Sequence, residues 1–106
     1  MISYEEFKKL EMKVGKIAEV EDVKRAERLY KMKVDIGGKT IQIISSLKEH
    51  YTREELLGKT IIVLANLAPT KFSGEVSEGM LLAAEIGDKC VLLTTDRTIE
   101  PGAPIT

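Results

Sequence analysis

Between Tyr30 and Ile36 the chain alternates without a break, and the alternation resumes after a glycine pair. Tyr30, Met32, Val34 and Ile36 point one way and Lys31, Lys33 and Asp35 the other; after Gly37-Gly38, Ile41 and Ile43 are opposed by Gln42. Alternation with period two is the pattern of a strand buried on one face. A pair of glycines supplies the left-handed backbone that a two-residue hairpin turn demands. Tyr30 to Ile36 and Lys39 to Ile44 are therefore read as strands two and three of an antiparallel sheet with a polar outer surface.

The flanking segments fit around this hairpin. Ser3-Tyr4-Glu5-Glu6 is a capping box, and Tyr4, Phe7 and Leu10 recur at helical spacing, which predicts a helix over 4–10 that plugs one end of the fold. Met12, Val14, Ile17, Val20 and Val23 fit one long first strand only if its register slips near Gly15, as at a bulge. Thr52-Arg53-Glu54-Glu55 is a second capping box, followed by Leu56, Leu57 and a terminating Gly58. Strand four is expected over Lys59–Ala65, strand five from about Glu78 to Glu85, and a further short strand over Cys90–Thr94. Three strands, a helix and two more strands is the order of the OB-fold, a five-stranded Greek-key barrel. The fold class is thus all-β, with short helices near the N-terminus and between strands three and four.

The 106 residues make a single domain, 1–106, of a size that buries roughly two-thirds of its unfolded surface. No apolar run is long enough for a membrane span or a signal peptide, which reads as cytoplasmic. A lone Cys90 and a lone His50 give neither a disulfide nor a zinc set, so no metal or cofactor is expected. Catalysis would have to use Cys90 as nucleophile and His50 as base, yet nothing brings them together, and Cys90 in DKCVLL reads as a small buried hydrophobe. Lysine and glutamate abound while Asn66 and Gln42 are the only residues of their kinds, a bias that fits a heat-adapted source.

The net charge of −1 gives a nucleic-acid partner no overall support, but its distribution is uneven. Lys24, Arg25, Arg28, Lys31 and Lys33 crowd residues 24–33 against Glu27 alone. This is either a solvated charged hairpin or a phosphate-tracking patch. Strand four is apolar on both faces, Ile61 and Val63 against Ile62 and Leu64, so its second face needs a cover. A helix, the C-terminal DRTIEPGAPIT or a twin chain would serve; the twin chain is favoured because residues 95–106 are few and polar at their start.

Residues 65–80, ANLAPTKFSGEVSEGM, form a long polar loop between two anchored strands, where a rigid scaffold presents binding groups. Asn66 and Ser77 can read a base edge, Lys71 seeks phosphate, and Phe72 and Met80 offer surfaces for an unstacked base. The plainer alternatives are that Phe72 and Met80 pin the loop and that Asn66 caps a turn.

The motifs N-L-x-P at Asn66–Pro69, Lys71, S-E-G-M at Ser77–Met80 and V-G-K-I at Val14–Ile17 together resemble the tRNA-binding domain family. Its members include the C-terminal domain or separate β chain of methionyl-tRNA synthetase, free-standing structure-specific tRNA-binding proteins, and the domain shared with endothelial monocyte-activating polypeptide. The resemblance implies an OB-fold, commonly a homodimer, that binds the tRNA body by shape and has no catalysis. It implies contacts from Asn66, Lys71, Ser77 and Met80, from Lys31, Lys33, Gln42 and Ser45 on the sheet face, and from Arg28 in the hairpin. A methionyl-tRNA synthetase catalytic subunit is an implied partner. Where relatives often carry basic residues this chain has Ala68 and Phe72-Ser73, a less positive loop. CsaA-type peptide-binding export chaperones resemble the chain more weakly; they need an apolar groove, whereas Lys31, Lys33 and Gln42 suit phosphates.

Overall fold

The computed structural model describes residues 1–106. In chain order the elements are α1 (Tyr4–Phe7), β1 (Met12–Val23), β2 (Ala26–Asp35), β3 (Thr40–Ser45), α2 (Arg53–Leu56), β4 (Thr60–Leu64), β5 (Thr70–Phe72), β6 (Glu75–Ser77), β7 (Met80–Leu81), β8 (Ala83–Ile86) and β9 (Lys89–Leu92). The main antiparallel sheet runs β3-β2-β1-β4-β7. Three consecutive strands with a fourth returning beside the first is the Greek-key order of an OB-like barrel.

β1 serves two walls. Its first half pairs with β4, from Met12↔Leu64 to Lys16↔Thr60, and its second half pairs with β2, from Lys16↔Asp35 to Val23↔Ala26. The register slips between Ile17 and Glu19, which makes Ala18, and not a residue near Gly15, the extra residue of a bulge. That slip lets Ile17 and Val20 both reach the core. At Gly15 the constraint is close approach: a Cβ there would lie 2.8 Å from Val34 Cγ1, so glycine lets the two walls close.

The β2–β3 hairpin folds as its pattern predicts, with Gly37 and Gly38 at φ 84° and 78° and partners from Tyr30↔Ser45 to Asp35↔Thr40. Both capping boxes form, Ser3 with Glu6 and Thr52 with Glu55. α1, however, spans one turn and buries no residue, so it does not plug the barrel. α2 contributes the fully buried Leu56, joined by Leu47 in the core, and Tyr51 packs beside them, its carbonyl accepting from the Tyr30 hydroxyl at 2.8 Å.

The expected fifth strand is split. β7 pairs with β4 through Val63↔Leu81 and Leu64↔Met80, and the chain then leaves the wall at Leu82. The Leu82 N–H still donates to the Ile62 carbonyl at 3.0 Å while its own carbonyl accepts from Leu93, so Leu82 is shared between the barrel and a separate ribbon, β8–β9.

The second face of β4 is covered from within the chain at Ile62, while Leu64 stays half-buried. Ile62 and its cross-strand neighbour Val14 are buried outside the main core. Beside them the C-terminal segment runs along β1, with Val14 N–H donating to Ala103, Gly102 N–H to Val14 and Ile105 N–H to Met12. Gly37 and Gly102 meet backbone to backbone, and a Cβ on Gly37 would fall 2.7 Å from Gly102 Cα, so PGAPI is locked under the hairpin turn. Burying Ile62 therefore requires no twin chain.

Candidate nucleic-acid interface

Half of the segment expected to be an open loop, Thr70 to Ser77, is a second hairpin, β5–β6, turned by Ser73 and Gly74 at φ 51° and 83°. Two residues with positive φ make the tight turn that matches strand twist. The barrel closes where this hairpin meets β3, and side chains do much of the closing. Glu78 N–H donates to the Gln42 carbonyl at 2.7 Å, and Gln42 N–H donates to Glu78 Oε1 at 2.8 Å. Gln42 Nε2 donates to the Val76 carbonyl at 2.8 Å. Ser77 Oγ accepts from Ile44 N–H and donates to the Gly79 carbonyl, both at 3.0 Å.

Four of the residues singled out from sequence meet here. Lys33 Nζ donates to Gln42 Oε1 at 2.8 Å, keeping its charge beside a neutral group. Lys31 lies 3.3 Å from Glu75 on the hairpin and 3.6 Å from Glu21 on β1. The hydrogen bond and charge of Glu75, then the charge of Glu21, hold the Lys31 ammonium above its ordinary pKa of 10.5. Ser77 is only 5% exposed, with its hydroxyl engaged on both sides, so it holds the hairpin instead of facing a ligand.

Lys71 pairs with Val76, and Phe72 with Glu75. Since Glu75 and Ser77 reach the sheet, alternation turns Lys71 to solvent on the hairpin's outer side. Ser45 and Met80 line a separate shallow groove of about 260 Å³ with Leu81, Leu82, Ala83 and Cys90.

Two residues stand apart. Arg28 pairs with Glu49 at 3.2 Å, at the far end of β2. Asn66 sits at the root of the hairpin segment, where its Oδ1 accepts from Glu11 N–H at 2.9 Å and its Nδ2 donates to the Lys9 carbonyl at 2.7 Å. Both ends of the carboxamide thus hold backbone.

Two of the five cations in the basic run at 24–33 are answered by acids from elsewhere, Arg28 by Glu49 and Lys31 by Glu21 and Glu75, and the nearby Lys48 takes Asp22 at 3.0 Å. Cross-strand pairing of opposite charge is the usual way to stabilise such a ribbon. Burial, with Glu85 nearby, pushes the Cys90 thiol up and away from the reactive thiolate. No helix is long and apolar enough to cross a membrane.

Residues 12–104 match the family model described as "Putative tRNA binding domain". The chain belongs to this tRNA-binding domain family. It is 48% identical over 104 residues to a methionine–tRNA ligase of Archaeoglobus fulgidus, a match covering 98% of this chain and 16% of that protein. The crystal structure of a MetRS-related protein from Pyrococcus horikoshii superposes with a TM-score of 0.93 at 37% identity, covering 100% of this chain and 98% of the other. The CsaA chaperone protein from Picrophilus torridus superposes at 0.91 with 36% identity, each chain covered in full. The chain spans 14 to 16% of the length of the methionine–tRNA ligases it matches.

Sequence reasoning missed the acidic side of this tRNA-binding domain. Glu75 and Glu21 flank Lys31, and Glu78 closes the barrel on Gln42. One signal was available: Ser73-Gly74 between short alternating runs is a hairpin signature. It would have set Glu75 opposite Phe72, though not against Lys31.

Proposed function

We propose that this chain is a non-catalytic tRNA-binding protein that serves as the β chain of a cytoplasmic methionyl-tRNA synthetase and holds the tRNA body by shape and phosphate contacts. Lys31, Lys33 and Lys71 contact phosphates. Met80 and Ser45 receive an unstacked base in their groove, and Arg28 reaches the RNA from the end of β2. Gln42, Asn66 and Ser77 act mainly by fixing the hairpin. The observation that carries this reading is that Lys31 and Lys33 of β2 meet the Lys71-bearing hairpin and Gln42 of β3 through Glu75 and Gln42, in a chain of the tRNA-binding domain family.

The same reading makes the free protein a homodimer. Ile86, Val91 and Leu93 are exposed on or beside the β8–β9 ribbon, and an apolar ribbon of this kind is suited to a second copy. Recovery of the methionyl-tRNA synthetase catalytic subunit with the tagged protein from native extract tests the synthetase partnership; its absence counts against it.

Likeness to the Picrophilus chaperone favours one alternative, binding of unfolded peptide by the same fold. Gel retardation of total tRNA and fluorescence titration with an unfolded polypeptide separate the two. The tRNA reading expects retardation at low salt that weakens at moderate salt, with little peptide affinity. Peptide binding without tRNA retardation selects the chaperone.

A further inference from the structure

Lys31 is the member of the lysine face whose ammonium is already occupied. Glu75 Oε2 reaches it from the hairpin at 3.3 Å and Glu21 Oε2 from β1 at 3.6 Å, and the lysine side chain is 24% exposed. Of the other ties between hairpin and sheet, Gln42 to Val76 and Ser77 to Ile44 are hydrogen bonds between neutral groups, and the Glu78 carboxylate at the hairpin's end accepts from Gln42 backbone N–H; none of these is an ion pair. The Lys31–Glu75 pair is therefore a charged clasp across that junction. A carboxylate at this distance takes the position on an ammonium that a phosphate oxygen would take.

We infer that Glu75 is an internal competitor for phosphate at Lys31, a strap that fastens hairpin β5–β6 to the sheet in the free protein and yields Lys31 to the RNA backbone on binding. The inference rests on the tRNA reading and concerns regulation of that same site. Phosphate and carboxylate are both anions, so the exchange leaves Lys31 paired, while the released Glu75, its side chain 36% exposed, is taken up by water. The hairpin, released from its clasp, can then adjust Lys71 to the RNA. Because salt weakens the internal pair as well as the RNA contact, the clasp suppresses affinity most at low ionic strength.

Glu75→Gln removes the charge and keeps the side-chain shape. This variant should bind total tRNA roughly three- to tenfold more tightly than wild type at low salt, with the gain shrinking as salt rises. In a Lys31→Met background the same substitution should gain less than about twofold, because only long-range repulsion is then removed. Without RNA, amides of residues 70–77 should exchange hydrogen faster in Glu75→Gln than in wild type, while those of β1 to β4 are unchanged. Glu21→Gln, which leaves the hairpin link intact, should raise affinity less and leave that exchange unaltered.

Equal tRNA affinity of wild type and Glu75→Gln would overturn the inference, as would a gain of the same size in the Lys31→Met background. Failure of the wild type to bind tRNA at low salt would remove the proposed function itself, and the inference with it.

Discussion

Asn66 uses both ends of its carboxamide on backbone 55 and 57 residues earlier in the chain. Its scarcity marked it in the sequence, but partners so distant have no local signature. Asn66→Ala should lower stability by roughly 0.5–1.5 kcal/mol in urea denaturation, since it removes two hydrogen bonds at an exposed site where water can take the freed N–H and carbonyl. Unchanged stability with lost tRNA binding would instead make Asn66 a direct contact. Lys31 teaches the same lesson: its face was set by alternation, whereas its partners Glu21 and Glu75 depend on how a bulged strand and a distant hairpin meet. Gly37 was visible as a turn residue, yet its contact with Gly102 was not. Gly102→Ala, with a Cβ 2.9 Å from Gly37 Cα at φ 95°, should cost more than about 1 kcal/mol in thermal unfolding.

At the scale of elements, local chemistry was the readable part. Both capping boxes, the Gly-Gly turn and the bounds of β1 follow from neighbouring residues. Strand five was misread because Met80–Glu85 is apolar almost throughout, and periodicity cannot show that the chain changes partner at Leu82. The Glu55 carboxylate accepts from Thr52 backbone N–H at 2.8 Å, a bond that, with the Thr52 hydroxyl next, holds its pKa below the ordinary 4.5. A lowered folded-state pKa means its stabilisation is present above 4.5 and is lost as pH falls through the folded value. Glu55→Gln should therefore flatten the fall in stability below about pH 4.5, read as thermal midpoint against pH; an unaltered profile would remove Glu55 from the acid response.

At the scale of the molecule, the fold class was legible from element order, because few topologies accommodate three strands, a helix and two more strands. The electrostatic character was not: a run of five cations left open a solvated hairpin or a phosphate-tracking patch, and nothing local showed that folding brings Glu49 against Arg28 and Glu21 and Glu75 against Lys31. In the proposed tRNA reading the phosphate contacts come from Lys31 and Lys33 on β2 and from Lys71 on the outer side of the hairpin. In the proposed homodimer, Ile86→Lys on the 79% exposed ribbon residue should halve the sedimentation mass; a wild type that sediments as a monomer would withdraw the dimer. The most direct test of the central claim is the tRNA association constant measured against salt for wild type and for a Lys31→Ala/Lys33→Ala/Lys71→Ala variant. The account predicts a linear log–log fall for the wild type and a slope shallower by roughly 2 to 3 units per protomer in the variant, about 0.7 to 0.9 for each lost phosphate contact. Identical slopes for the two proteins would contradict it.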